Sequence, residues 1–252
     1  MNTLFFQLRG FYYSQKLRGR DLPPAARANL RLFRHLSLKA SISDADFVVF
    51  DTETTGLKAA KGDRILSLSA IRIKGGRIDL SDLFHELVNP GRDIPSETAT
   101  VHEILPRMVA EKPLFKEVLP AFLEYIGSSA LVAHHAWLDM TFLNGEMLRR
   151  FGFPVQNPVL DTVVLGRALL AGRKRPMQGV PDQDSSLSAL AARYQVRIEE
   201  RHSSFGDALA TALIFQKMLK EAQQSGIARL KDLLRLSSRH ERDHHLRRHG
   251  PF

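Results

Sequence analysis

FVVFDTETTGL, Phe47 to Leu57, opens with four apolar residues and closes on a Thr-Thr-Gly turn. The apolar run, rich in Val and Phe, predicts a short buried strand. Side chains alternate faces along a strand, so Asp51 and Glu53 share one side. Two carboxylates at the end of an interior strand are costly unless a cation neutralises them. A hard divalent ion suits oxygen ligands, and Mg2+ is commonly held by one or two carboxylates together with substrate phosphate. A bare D-x-E is more often an exposed strand end with two solvated acids. The remainder of the chain outweighs that reading.

A length of 252 residues suits one α/β domain with appendages, and 44% hydrophobic residues are enough for a core. There is no cysteine, which excludes a disulfide framework and a thiolate zinc site. No apolar run approaches the roughly 18 residues of a membrane span. MNTLFFQLRGFYY lacks the leading basic region and small-residue cleavage site of a signal peptide. A cytoplasmic protein with no membrane partner is the expectation. The net charge of +9 sits on the flanks. Residues 1–46 hold 8 basic and 3 acidic residues, residues 223–252 hold 7 and 3, and residues 47–222 hold 21 of each. Basic flanks suit a polyanion such as nucleic acid, although solvated termini would look the same.

Three segments follow from pattern and charge: a basic helical extension over 1–46, a main domain over 47–222, and a basic helix and tail over 223–252. In the extension, Leu30, Leu32, Phe33, Leu36 and Leu38 alternate with Arg27, Arg31, Arg34 and His35 in a helix begun by Pro23-Pro24. Phe5, Phe6, Phe11, Tyr12 and Tyr13 precede it, too many aromatics for a free basic arm. At least one helix here is expected to pack on the core, or else on a protein partner such as a DNA polymerase, with arginines outward. After the first strand, ILSLSAIRI and the run from Ile78 to Val88 flank Gly75-Gly76 as an antiparallel hairpin. Helices are expected over 95–104 and 114–126, then a buried strand ALVAH, an amphipathic helix, a strand PVLDT, and further helices at 187–194 and 204–223. Residues 171–185 break every pattern and read as a loop, and HERDHHLRRHGPF reads as a disordered end. A three-strand meander followed by alternating strands and helices describes a mixed five-stranded sheet flanked by helices, an α/β fold.

Asp139 lies at the start of the helix after ALVAHHAWL, Asp161 ends PVLD, and Asp207 stands five residues after His202 in HSSFGDALATA. Each alone is weak, since Asp near a helix start complements the dipole. Together with Asp51 and Glu53 they resemble the DEDDh 3′–5′ exonucleases, the group that includes the epsilon proofreading subunit of bacterial DNA polymerase III. FDTETTGL resembles the first motif, HHAWLDMTFL the second and HSSFGDALATA the third. VHEI at 101–104 resembles the segment that touches the 3′-terminal nucleotide. The second motif departs from the usual His-Asn-Ala-x-Phe: it reads His134, His135, Ala136, Trp137, Leu138, with its aromatic one position early.

The resemblance implies a ribonuclease H-like fold and a two-metal phosphodiester hydrolysis with two Mg2+ or Mn2+ ions about 3.5–4 Å apart. It implies Asp51, Glu53, Asp139 and Asp207 as metal ligands and His202 as general base, a role suited to an imidazole of pKa about 6.5. Thr54, Thr55, Gly56 and Leu57 would grip the strand end, by backbone groups and an apolar platform, together with His102. Asp161 is read as structural, capping the next helix with Thr162. The implied substrate is a single-stranded nucleic-acid 3′ end, foremost DNA in proofreading or repair. The alternatives are trimming of RNA 3′ ends or of short oligoribonucleotides, and a non-catalytic nucleic-acid adaptor.

Overall fold

Strand β1 (Phe47–Thr54) lies in the middle of a five-stranded sheet in the computed structural model, which describes residues 3–34, 37–171 and 185–237, with residues 3–5 described for their backbone alone. It pairs antiparallel with β2 (Ile65–Lys74), which pairs antiparallel with β3 (Arg77–Leu87). The turn between β2 and β3 needs positive φ at both of its glycines, 55° at Gly75 and 71° at Gly76. On its other edge β1 runs parallel to β4 (Ala130–Ala133), and β4 parallel to β5 (Val159–Asp161). The order is β3-β2-β1-β4-β5, the mixed sheet expected from sequence.

Helices α1 (Thr3–Lys16) and α2 (Pro24–Leu30) precede the sheet. Helices α3 (Ser96–His102), α4 (Pro106–Val109) and α5 (Phe115–Ile126) lead from β3 to β4, α6 (Ala136–Phe151) joins β4 to β5, and α7 (Thr162–Ala171), α8 (Leu187–Arg193) and α9 (Ser204–Gln224) follow. The alternation of β1 divides them between two cores. Phe47 and Val49 face one, packed with Ile214, Phe215 and Met218 of α9. Val48 and Phe50 face the other, packed with Leu119 and Phe122 of α5 and Phe142 and Met147 of α6. Continuing that alternation directs Asp51 and Glu53 toward α9 and Thr52 toward α6.

The N-terminal segment packs on this core. Phe6, Leu32, Leu38 and Ile42 are buried on the α9 side, and Leu22, Ala25, Ala26 and Leu30 on the α5–α6 side. The uninterrupted helix expected through Leu38 does not form. Leu30 and Leu32 belong to different cores, so α2 ends at Leu30 and a 3-10 turn, Leu32–Arg34, carries the chain across. The arginines were expected to face outward; Arg9 turns inward, its Nη2 donating to the carbonyls of Val155 (3.4 Å) and Gln156 (3.3 Å). Buried Asn29 ties α2 to the same loop, donating to Asn157 Oδ1 at 2.6 Å and accepting from Gln156 N at 3.0 Å.

The start of the C-terminal segment is also core. Residues 230–237 are helical, Leu230, Leu233 and Leu234 are buried beside α9, and Lys231 N donates to Leu38 O at 2.8 Å. The expected tail beyond residue 237, the loop residues 172–184 with Arg173, Lys174 and Arg175, and His35 and Leu36 lie outside the described residues.

Candidate active site

Strand β4 is short, and its pairing with β1 stops at Val49 opposite Val132. Beyond it, the first turn of α6 stands where a strand would continue. Asp139 Oδ1 takes both the backbone N–H of Thr52 (3.0 Å) and its hydroxyl (2.6 Å). Asp139 therefore reaches the strand end from the α6 side, as the direction of Thr52 requires.

From the other side comes Asp207, in the first turn of α9. One of its carboxylate oxygens and one each from Asp51 and Glu53 lie within 4.8 Å of one another. The approach is set by a polar anchor across the sheet. Ser69 and Ser67 stand opposite Asp51 and Glu53 on β2, and both hydroxyls meet that of Ser204, Ser69 at 2.7 Å. Ser69 also pairs with Nδ1 of the exposed His85 at 2.7 Å, so Ser204 sits at the buried end of a polar chain, three residues ahead of Asp207. Gly206 completes the approach: a Cβ there would lie 1.9 Å from the carbonyl oxygen of Glu200, so only glycine lets that loop cross α9.

The electrostatics follow from this crowding. Burial, then the neighbouring Asp139, Glu53 and Asp207 charges, raise the Asp51 pKa well above the usual carboxylate range. Burial, then Asp207 and Asp139, push Glu53 up to about 8, and burial raises Asp139 to about 7 despite its bonds from Thr52. Carboxylates held this close bind protons or cations. Among the described residues, the cationic side chain bonded to the trio is Arg201, whose Nη1 donates to Asp207 Oδ1 at 2.7 Å. Three converging carboxylates with hard oxygen donors fit a divalent ion.

His202 reaches the cluster through its backbone, whose N–H donates to Asp207 Oδ2 at 3.3 Å; its side chain is exposed. The residue adopts a left-handed backbone, φ 61°, uncommon for a side chain of this size. Asp161 is structural, accepting from Ala136 N (2.9 Å) at the start of α6 and from Val163 N (2.8 Å) in α7. Its capping partner is Val163 rather than Thr162, whose hydroxyl meets His134 Nδ1 at 3.0 Å. Burial, with His135 beside it, lowers the His134 pKa to about 3, so the ring is neutral.

In the turn after β1, Leu57 is 69% exposed and presents an apolar surface rather than joining the core. Thr54 donates to Gly56 O (2.7 Å). Thr55 is a correction: its side chain is buried and its N–H donates to Arg64 O at 2.8 Å, so its backbone donor serves the fold rather than a strand. Gly56 is required because a Cβ would lie 2.5 Å from the Asp63 carboxylate that pins the turn. His102 accepts from Ile104 N at 3.0 Å through Nδ1, leaving a buried Nε2 with no hydrogen-bond partner among the described residues. Trp137, 62% exposed at the start of α6, is a second surface beside the site.

Sequence reasoning missed Arg201, Thr52 and the Ser67–Ser69–Ser204 anchor. Arg201 could be suspected from adjoining His202, and Thr52 from standing between two acids. The serines carry no local signal, because their partners are 135 and 137 residues away.

Residues 48–215, two-thirds of the chain, match the family model described as Exonuclease. A DNA polymerase III subunit epsilon-like protein of Rhodobacter capsulatus is 40% identical over 183 residues, covering 72% of this chain and 25% of that protein. A PolC-type DNA polymerase III of Caldanaerobacter subterraneus is 37% identical over 190 residues, covering 75% of this chain and 13% of that protein. The match thus spans a quarter or less of these relatives' length. Among solved structures, Exonuclease X in complex with 5′ overhanging duplex DNA shares the fold at TM-score 0.55 and 24% identity, over 76% of this chain and 99% of that one. The nuclease domain of 3'hExo, a DEDDh family member bound to rAMP, does so at TM-score 0.59 and 16% identity, over 72% and 94%. The chain belongs to the exonuclease family, with its four acids and histidine in the DEDDh order.

Proposed function

We propose that this protein is a metal-dependent 3′–5′ exonuclease that releases 5′-mononucleotides from single-stranded DNA 3′ ends, in proofreading or repair. The observation that carries the reading is the convergence of Asp51, Glu53 and Asp207 within 4.8 Å at the end of β1. Two divalent ions, Mg2+ or Mn2+, would supply charge neutralisation and a nucleophile at neutral pH. Asp51, Glu53 and Asp207 would hold them, with Asp139 completing the set from the α6 side.

The chain's own residues supply the remainder. Thr52 fixes Asp139, and the Ser204 anchor fixes Asp207, so the carboxylates are aimed before substrate arrives. His202 takes the proton from the attacking water, its exposed ring swinging on a backbone tied to Asp207. Leu57 and Trp137 offer surfaces on which terminal bases stack, a contact that is tolerant of sequence. The unpartnered Nε2 of His102 is a donor for an oxygen of the terminal nucleotide.

The names of the relatives support DNA as substrate and a DNA polymerase as the protein it works beside. On the same reading it acts in the cytoplasm; among the described residues no helix is long and apolar enough to cross a membrane. The test is side-by-side digestion of matched DNA and RNA single strands with Mg2+ or Mn2+, with mass identification of products. Faster release of 5′-deoxymononucleotides is expected. Preference for RNA would return the 3′-end trimming alternative, and no mononucleotide from either strand would leave the adaptor.

A further inference from the structure

The main domain is electrically balanced, with 21 basic and 21 acidic residues over 47–222, and its site is acidic. An enzyme for a polyanion needs its attraction from elsewhere. A cleft of about 680 Å³ lies between α1 and α2, lined by Arg18, Arg20, Arg27, Arg31 and Arg34, with Asp21 as the only acid among the described residues that line it. Asp21 reaches Arg27 at 3.5 Å with its own side chain in open solvent. Arg18, Arg31 and Arg34 are exposed and have no acidic partner among the described residues. Among the described residues no lysine lines the cleft. Guanidinium groups match phosphate oxygens in a planar fork, which a point-charge ammonium does not.

Two further observations give the cleft a direction and a kind of ligand. Arg20 donates to the carbonyl of Arg150 at the end of α6, at 3.3 Å. The cleft is therefore fixed at one end of the helix whose other end carries Asp139. Arg150 stands eleven residues after Asp139 on α6, about 16 Å at 1.5 Å per residue. On α1, Phe11 stands one turn before Gln15, which lines the cleft, and Arg18, which also lines it, follows just beyond the helix end at Lys16. Phe11 is 53% exposed and its neighbour Tyr12 57%. Exposed rings beside unpaired arginines are what a single strand uses, bases stacking while phosphates are neutralised.

We infer that this cleft is a second nucleic-acid site, one that holds the backbone of the substrate strand several nucleotides 5′ of the end being cleaved. At about 3.4 Å per nucleotide of stacked strand, about 16 Å is about five nucleotides. A trinucleotide can occupy the active site without reaching the arginines; a longer strand is held at both. This rests on a nucleic-acid substrate, as proposed above, but not on which reaction the metal site performs.

The test uses the full chain with Arg18, Arg31 and Arg34 replaced by alanine, none of which touches the acidic cluster. Binding of a fluorescent single strand of about 30 nucleotides is measured in chelator, so that nothing is cut, over a salt series. Losing three phosphate contacts should weaken affinity about tenfold or more near physiological salt and flatten the log–log salt slope by about 2. Phe11→Ala with Tyr12→Ala should weaken binding with the slope kept, because stacking releases no counterions. Trinucleotide hydrolysis with Mg2+ should match wild type in both variants. Unchanged affinity and slope in the arginine variant would overturn the inference and leave the face to a protein partner. A parallel fall in trinucleotide hydrolysis would overturn it too, since the cations would then act on the site itself. Failure of wild type to cut the trinucleotide would count against the nuclease reading instead, and the binding measurement would stand apart from it.

Discussion

Asp51, Glu53 and Asp139 carry the clearest electrostatic signature in the molecule, and its sign makes a prediction. Glu53 goes from an ordinary 4.5 to about 8, and Asp139 is raised to about 7, both by burial first. In the metal-free fold these carboxyls keep protons that the unfolded chain has released. Their contribution favours folding below about 4.5 and is lost as pH rises through about 8. His102 and His134 have the opposite sign, since burial lowers their pKa values and their contribution is lost as pH falls. The histidines act alike with or without metal, so a difference measurement isolates the acids. The gain in Tm from saturating Mn2+ over chelator should grow steadily between pH 5 and 8, because ligation requires the carboxylates deprotonated. A gain that stays flat across that range would contradict the carboxylate cage. Arg201 is the residue to watch here, since its bond to Asp207 competes for one of the three ligands.

At the scale of elements, the site is the meeting of β1 with the first turns of two helices on opposite faces of the sheet. The pattern of β1 was legible: the alternation that buries Phe47 and Val49 on one side and Val48 and Phe50 on the other also parts Thr52 from its flanking acids. What the pattern could not give is how α9 is fixed, because that depends on serines far apart in the chain. Ser204→Ala removes the hydroxyl between Ser67 and Ser69 and leaves Ser67 without its described partner in a dry interior. A loss of about 1–3 kcal/mol in folding stability is expected. Denaturant unfolding in chelator reads it directly, and a cost indistinguishable from zero would show that α9 is held by its apolar face alone. Turn contacts were also partly hidden. From sequence, Gly56 reads as a backbone contact for the strand; the reason it must lack a side chain, the Asp63 carboxylate, lies across the turn. The backbone of Thr55 reads as part of the same grip because nothing local reveals the bond from its N–H to Arg64 O.

For the whole molecule, the three segments read from charge are less separate than composition suggested. Of the aromatics in the first 46 residues, Phe6 enters the α9-side core, together with Leu32, whereas Phe11 and Tyr12 stay exposed. Period alone did not show that Leu30 and Leu32 serve different cores, and so the break after α2 was not readable. Arg9, buried against a loop at 155–156, was illegible for the same reason: its partners are more than a hundred residues away. The acids and the histidine were legible because they come in short motifs, and the fold brings Asp51, Glu53 and Asp207 to one point. That point is the central claim, and a 5′-labelled single strand of DNA tests it most directly. With Mg2+ the wild-type protein should shorten the strand from its 3′ end one nucleotide at a time, and chelator should stop it. Asp51→Asn and Asp207→Asn should each reduce the rate to background in a protein that is folded and no less stable in chelator, a carboxylate being removed from a crowded cluster. His202→Ala should fall by about 10²–10⁴-fold, as loss of a general base does. Rates within a few-fold of wild type in either aspartate variant, or shortening that persists without a divalent ion, would contradict the account.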